Sequence, residues 1–131
     1  MNFTEAFRRL GYVLRAPRTD WSAENDQGVC LSLWAREIHY SKQLCTFDTR
    51  DDAQPIETWN RKAGFKRRHG HIARAVSELS GLIDVVIVSG EPGGSYGDAH
   101  PWKPEERKAG WKITSFDPET GHFAAETYPV N

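Results

Sequence analysis

The run Leu82-Ile-Asp-Val-Val-Ile-Val88 limits this chain's fold more than any other feature. It is apolar apart from Asp84, rich in β-branched residues and bounded by Gly81 and Gly90. It does not alternate, so it reads as a strand buried on both faces. Such a strand needs a covering layer on each side. The preceding segment supplies one, as a helix predicted from about Phe65 to Ser80 with Ile72, Ala75, Val76 and Leu79 as its core stripe. Gly81 is its stop signal.

The opening residues predict a second helix. Asn2 caps it and Glu5 completes a capping box. Phe3, Ala6, Phe7 and Leu10 form its apolar stripe, and Gly11 follows. Tyr12 to Leu14 reads as the start of a strand cut short by Pro17, and 18–28 as a polar, turn-rich stretch around Trp21. Val29 to Ile38 reads as a strand with Leu31 and Leu33 on one face and Cys30, Ser32 and Trp34 on the other. Gln43 to Thr49 is predicted to pair with it. Residues 51–55 form a loop and Ile56 to Asn60 a short helical turn. Trp111 to Phe116 and His122 to Tyr128 flank Asp117-Pro-Glu-Thr-Gly121, which suits a type I turn closing with a bulge. The order α–β–β–α–β–β–β predicts the α+β class. The expected architecture is one domain over 1–131: a mixed sheet of about five strands, two main helices and a C-terminal hairpin.

A length of 131 residues leaves no room for two full cores. No stretch approaches the ~18 apolar residues of a membrane span, and the N-terminus lacks a signal-type apolar core. The expectation is no membrane role and a reducing cytoplasm. Cys30 and Cys45 fit no metal spacing and read as buried thiols.

The formal net charge of −1 argues against a wholly basic nucleic-acid binder. The distribution is more informative. Residues 61–74 carry Arg61, Lys62, Lys66, Arg67, Arg68 and Arg74 with no acid, whereas the segment after Gly81 holds eight Asp/Glu against four Lys/Arg. Arg67 and Arg74 lie a heptad apart on the predicted helix. With Lys66 and Arg68 they form a cluster near its N-terminus, where the dipole also favours an anion such as phosphate. The bland reading is a solvated charged face.

A second candidate is the segment Ser89 to Glu106, longer than most structureless loops of compact domains. It leaves the carboxyl end of the most buried strand, where ligand-contacting loops tend to lie. Its glycines allow close approach. Tyr96 and Trp102 offer stacking faces, while Asp98 and His100 offer hydrogen bonds, a mixture suited to a nucleobase. It lacks the Gly-Lys-Ser/Thr ending of a P-loop. The alternative is a surface loop with Pro101 and Trp102 anchored in the core.

Other chemistry is weakly signalled. His69 and His71 point apart on a helix, no histidine spacing matches a zinc motif, and no metal or cofactor is implied. Asp84, Glu91 and Lys112 invite a nuclease reading, without the Glu-x-Lys or Asp-x-Lys pair that would support it. No nucleophile elbow or triad signature is present. Of the tryptophans, Trp34 and Trp111 read as core, and Trp21 and Trp59 as half-exposed. Core packing is the plainer account and an aromatic cage the alternative.

Gly28-Val-Cys-Leu-Ser-Leu-Trp34, Ala75-Val-Ser-Glu-Leu-Ser-Gly81, Asp84-Val-Val-Ile-Val88 and Glu105-Glu-Arg-Lys108 together resemble one family. It is the N-terminal DNA-reading domain of McrA-type modified-cytosine restriction endonucleases. The resemblance spans Gly28 to Lys108 and rests on generic core and turn residues. It implies recognition of DNA, with modified bases as one target. The chain lacks that family's HNH nuclease domain and its zinc-binding cysteines, so it implies no cleavage and assigns no base-reading residue.

The reading that joins these features is a nucleic-acid-binding module. Lys66, Arg67, Arg68 and Arg74 would contact phosphates, while Trp21, Tyr96 and Trp102 stack on a base and Asp98 and His100 bond its edge. Two alternatives stay open. One is a metal-dependent hydrolase or nuclease using Asp84, Glu91, Asp98 and His100. The other is a protein-interaction subunit presenting the aromatic loop.

Overall fold

The computed structural model describes residues 1–52 and 54–130, so Ala53 of the expected 51–55 loop lies outside them. Helix α1 (Phe3–Arg9) starts as its capping box dictates. The Glu5 amide donates to Asn2 Oδ1 at 2.8 Å, and the Asn2 side chain donates back to Glu5 Oε1 at 2.7 Å. Residues 12–14 form no strand, although Tyr12 and Leu14 plug into the core while Val13 is left in solvent.

Eight strands follow: β1 (Ser22–Glu24), β2 (Val29–Trp34), β3 (Ile38–Tyr40), β4 (Cys45–Asp48), β5 (Leu82–Val88), β6 (Ala99–Pro101), β7 (Ala109–Phe116) and β8 (Phe123–Pro129). Helix α2 (Ala63–Glu78) precedes β5, and a single turn α3 (Pro104–Arg107) precedes β7. The strands run β1-β2-β5-β7-β8-β4-β3, with β6 also on β5. The fold is therefore α+β with a curled mixed sheet, but with more strands and one more helix than expected. The additional strands β1, β3 and β6 have three residues each, too few to show a period in sequence. The segment 89–106 is correspondingly not one loop, since β6 and α3 interrupt it.

Strand β5 organises the rest. It pairs in parallel with β2, Cys30 to Trp34 matching Asp84 to Val88. Its other pairings divide its length: Leu82 and Ile83 meet β7, while Val86 to Val88 meet β6. Both faces are buried, as its composition predicts. Ile83, Val85 and Ile87 join the core containing Ile72, Ala75 and Trp111, whereas Val86 and Val88 join the one containing Phe3, Phe7 and Tyr12. The two helices thus cover opposite sides.

Two pairings depart from expectation. Strand β4 pairs with β3 and β8 and not with β2, because a 3-10 turn over Ala35–Glu37 redirects the chain first. On α2, Val76 is 47% exposed, and the buried stripe instead includes Gly64, Arg68 and His71 beside Ile72 and Ala75. The final hairpin forms, with Gly121 at φ 85° in its turn, but the bulge lies within the strands, between Ile113 and Ser115, and not at the turn. No helix among the described residues is long and apolar enough to cross a membrane.

One ion pair fastens α2 to the segment before β1. The fully buried Asp20 carboxylate accepts the Ala16 amide at 2.9 Å and pairs with Arg67. Removing the guanidinium strands that carboxylate, which costs about 3 kcal/mol for a pair of this burial. Arg67→Ala is expected to lower the unfolding free energy from denaturant titration by that amount, whereas Lys66→Ala on the exposed face stays within about 0.5 kcal/mol of the parent.

Candidate functional site

The basic cluster expected to bind phosphate is largely committed inside the protein. Arg67 belongs to Asp20. Arg74 pairs with Glu24 at 3.0 Å and Glu78 at 3.4 Å, and donates to the Asn25 carbonyl at 2.7 Å. Arg68 points inward and is only 8% exposed. The start of α2 is closed as well, because Gly64 packs on the Thr19 carbonyl and the Trp21 indole with no space for a side chain. Of the four expected phosphate contacts, only Lys66 stands free in solvent.

The expected aromatic loop divides too. Trp102 is in the core, its Nε1 donating to the Ala109 carbonyl at 2.7 Å and its ring meeting Trp111 edge-on. It offers no stacking face. Asp98 and His100 are exposed but line no cavity with the aromatic residues. Tyr96 does face a cavity, and so does Trp21.

That cavity, of about 450 Å³, opens at the carboxyl end of the parallel β2–β5 pair, between Trp34 and Val88. Two ring pairs wall it. Trp21 and Trp59 meet edge-on at 5.9 Å, and Trp34 and Tyr96 lie 5.4 Å apart. Tyr96 is itself stacked on Phe3 of α1 at 4.1 Å and 5°. Gly93 and Gly94 form part of the rim. The loop carrying them is pinched at its base, where the Ser89 amide donates to the Asp98 carbonyl at 2.9 Å and the Gly97 amide to the Ser89 carbonyl at 2.8 Å. A side chain at Gly97 would collide with Ser89. Arg18 and Lys62 line the cavity from its solvent side.

Arg68 lies among four rings, its Cζ 5.0 Å from the Trp21 centroid, 5.1 Å from Trp59, 4.9 Å from Phe123 and 5.9 Å from Phe65. Burial lowers its pKa to about 10, so it stays charged at neutral pH. Asp52 and Glu37 line the same cavity and hydrogen-bond each other. Two carboxyl groups share a hydrogen bond only with a proton between them. Burial, and then the Glu37 charge, push Asp52 up to about 8.

No family model, curated protein or solved structure matches this chain.

The other constellations do not assemble into sites. Asp84 accepts the Tyr12 hydroxyl at 2.6 Å, Glu91 pairs with Arg36, and no group of three metal-ligating side chains occurs among the described residues. Lys112 pairs with Glu126 at 3.9 Å. His69 bonds the Pro118 carbonyl at 2.8 Å. Ser22, His71 and Glu24 are connected as a triad would be, with Ser22 Oγ 2.6 Å from His71 Nδ1 and Glu24 3.6 Å from Nε2. Ser22 is wholly buried and reaches no substrate, so the chain of contacts is structural.

Trp34, Trp59, Glu37 and Asp52 line the pocket without being expected there, and Arg68 turns inward instead of toward phosphate. A signal for Arg68 existed: it precedes Ile72 by four and Ala75 by seven, on the apolar stripe itself. Nothing local marks Asp52 or Glu37, which are brought together by tertiary folding.

The raised Asp52 pKa has a defined effect on stability. Above the ordinary carboxyl range the unfolded chain has lost this proton while the native protein retains it, so stability falls as pH rises toward about 8. Asp52→Asn is expected to flatten that part of the profile, measured as denaturant midpoints between pH 5 and pH 9.

Proposed function

We propose that this chain is a nucleic-acid-binding module whose aromatic cavity takes in one unstacked base while cations at its mouth hold neighbouring phosphates. The observation that carries the reading is the cavity itself. Its volume of about 450 Å³ suits a small planar ligand. Trp21, Trp34, Trp59 and Tyr96 supply flat faces, and Arg18 and Lys62 border the same space. Aromatic platforms beside cations are how proteins hold single-stranded or extruded bases. Arg61 adjoins Lys62, Lys66 lies one helical turn further on, and both are exposed.

This assigns the roles differently from the linear charge pattern. Arg18, Lys62 and Lys66 contact phosphate, which positions the strand without reading it. Arg67 and Arg74 hold the fold. Trp102 leaves the site and Trp59 enters it. A DNA-reading module is also what the resemblance of Gly28 to Lys108 to the McrA-type domain implies.

Fluorescence anisotropy with single-stranded DNA and RNA and with mismatched duplexes, over 50–300 mM salt, tests the reading. Binding should weaken with salt, and Arg18→Ala with Lys62→Ala should lower the log–log slope by about 1–2. Trp59→Ala should cost ~1–3 kcal/mol with the slope unchanged. An absence of binding, or a slope near zero with unaltered affinity in Trp59→Ala, would end the proposal.

A further inference from the structure

The innermost wall of the cavity carries information about what enters it. Three buried side-chain polar atoms among the described residues have no hydrogen-bond partner within the protein, and two of them, Arg68 Nη2 and Asp52 Oδ1, belong to residues lining this cavity. Buried polar atoms left unpaired cost ~1–3 kcal/mol each, so pairs of them in one wall point to a ligand that completes them. One atom is a donor. The other is a carboxyl oxygen left over once Asp52 has bonded Glu37.

The charges at this wall cancel. Arg68 contributes one positive charge. Asp52 and Glu37, sharing a proton, contribute one negative charge between them. A cationic ligand at the Trp21 and Trp59 rings is repelled by the Arg68 guanidinium, which lies 5.0 and 5.1 Å from them. An anionic ligand meets the carboxyl pair. An uncharged ligand disturbs neither balance, and a flat one can lie against the aromatic wall.

Resting on the base-binding reading, we propose that Arg68 Nη2 and Asp52 Oδ1 are the specificity-determining atoms of the site. They select an uncharged planar heterocycle that offers a carbonyl or ring-nitrogen acceptor beside an N–H donor. Arg68 donates to the acceptor. Asp52 accepts from the N–H, with Glu37 holding it in place. The rings give affinity for any flat molecule, and this pair of atoms sets which edge is accepted.

The test compares single-stranded oligothymidylate with an oligomer of equal length in which difluorotoluene, a flat ring of the same shape without the hydrogen-bonding edge, replaces thymine, at one salt concentration. The parent protein should prefer the base-bearing strand at least 10-fold. Arg68→Lys keeps the charge but loses the planar fork, and Asp52→Asn keeps the shape but changes the hydrogen-bonding pattern. Each should reduce that preference to within about 2-fold of parity, with thermal melts confirming that both fold. Because Arg68→Lys risks unfolding, tryptophan fluorescence of the parent protein with free nucleosides, choline and inorganic phosphate gives a second readout. Quenching by nucleosides alone supports the inference, and comparable binding of choline or phosphate in the cavity overturns it. Oligonucleotide binding with the preference intact in both variants overturns the inference and leaves the functional reading standing. Binding of nucleosides without any oligonucleotide affinity does the reverse.

Discussion

A guanidinium buried among aromatic rings governs how this molecule closes. Taking the Arg68 charge out of water costs several kcal/mol unless partners replace the hydration. Here the partners come from distant segments: Trp21 before β1, Trp59 after the 3-10 turn at Ile56–Thr58, Phe65 on α2 and Phe123 on β8. Asp52 and Glu37 add the compensating charge. Each cation–ring contact contributes up to about 2 kcal/mol when desolvated. One side chain thus draws α2, the start of β8 and two connecting segments around a common space. Two of those rings, Trp21 and Trp59, also wall the cavity, together with Trp34 and Tyr96.

The sequence shows a basic surface where the structure has a committed one. Runs of like charge are visible locally, but their partners are not. Asp20 and Glu24 lie more than forty positions before Arg67 and Arg74, and they meet only because β1 lies under α2. The near-neutral total was consistent with such pairing. It did not say which charges were spent on it.

What was legible followed from short-range physics. The capping box at Asn2 and Glu5, the two-sided burial of Leu82–Val88 and the turn at Asp117–Gly121 are each encoded within a few residues. The three-residue strands were not, because a ladder that short is decided by its neighbours. The cavity was half legible. Tyr96 and Trp21 stood out as aromatic residues in polar surroundings, and Arg68 was in phase with Ile72. Trp34 looked like core because it ends a buried strand, yet the strand stops at the cavity's edge and leaves the indole only partly buried. Trp102 looked like a stacking residue because it follows glycines, but β6 pulls it beneath α3 and into the interior.

The pinch at Ser89, Gly97 and Asp98 separates the loop above it from the sheet below. Strand β5 ends in the same way whatever lies between Gly90 and Tyr96, since the backbone bonds that fix its exit are made at the neck. Insertions or exchanges in that interval alter the rim of the cavity while sparing the architecture. Such an arrangement confines variation to a hoop of a few residues while the scaffold beneath it stays the same.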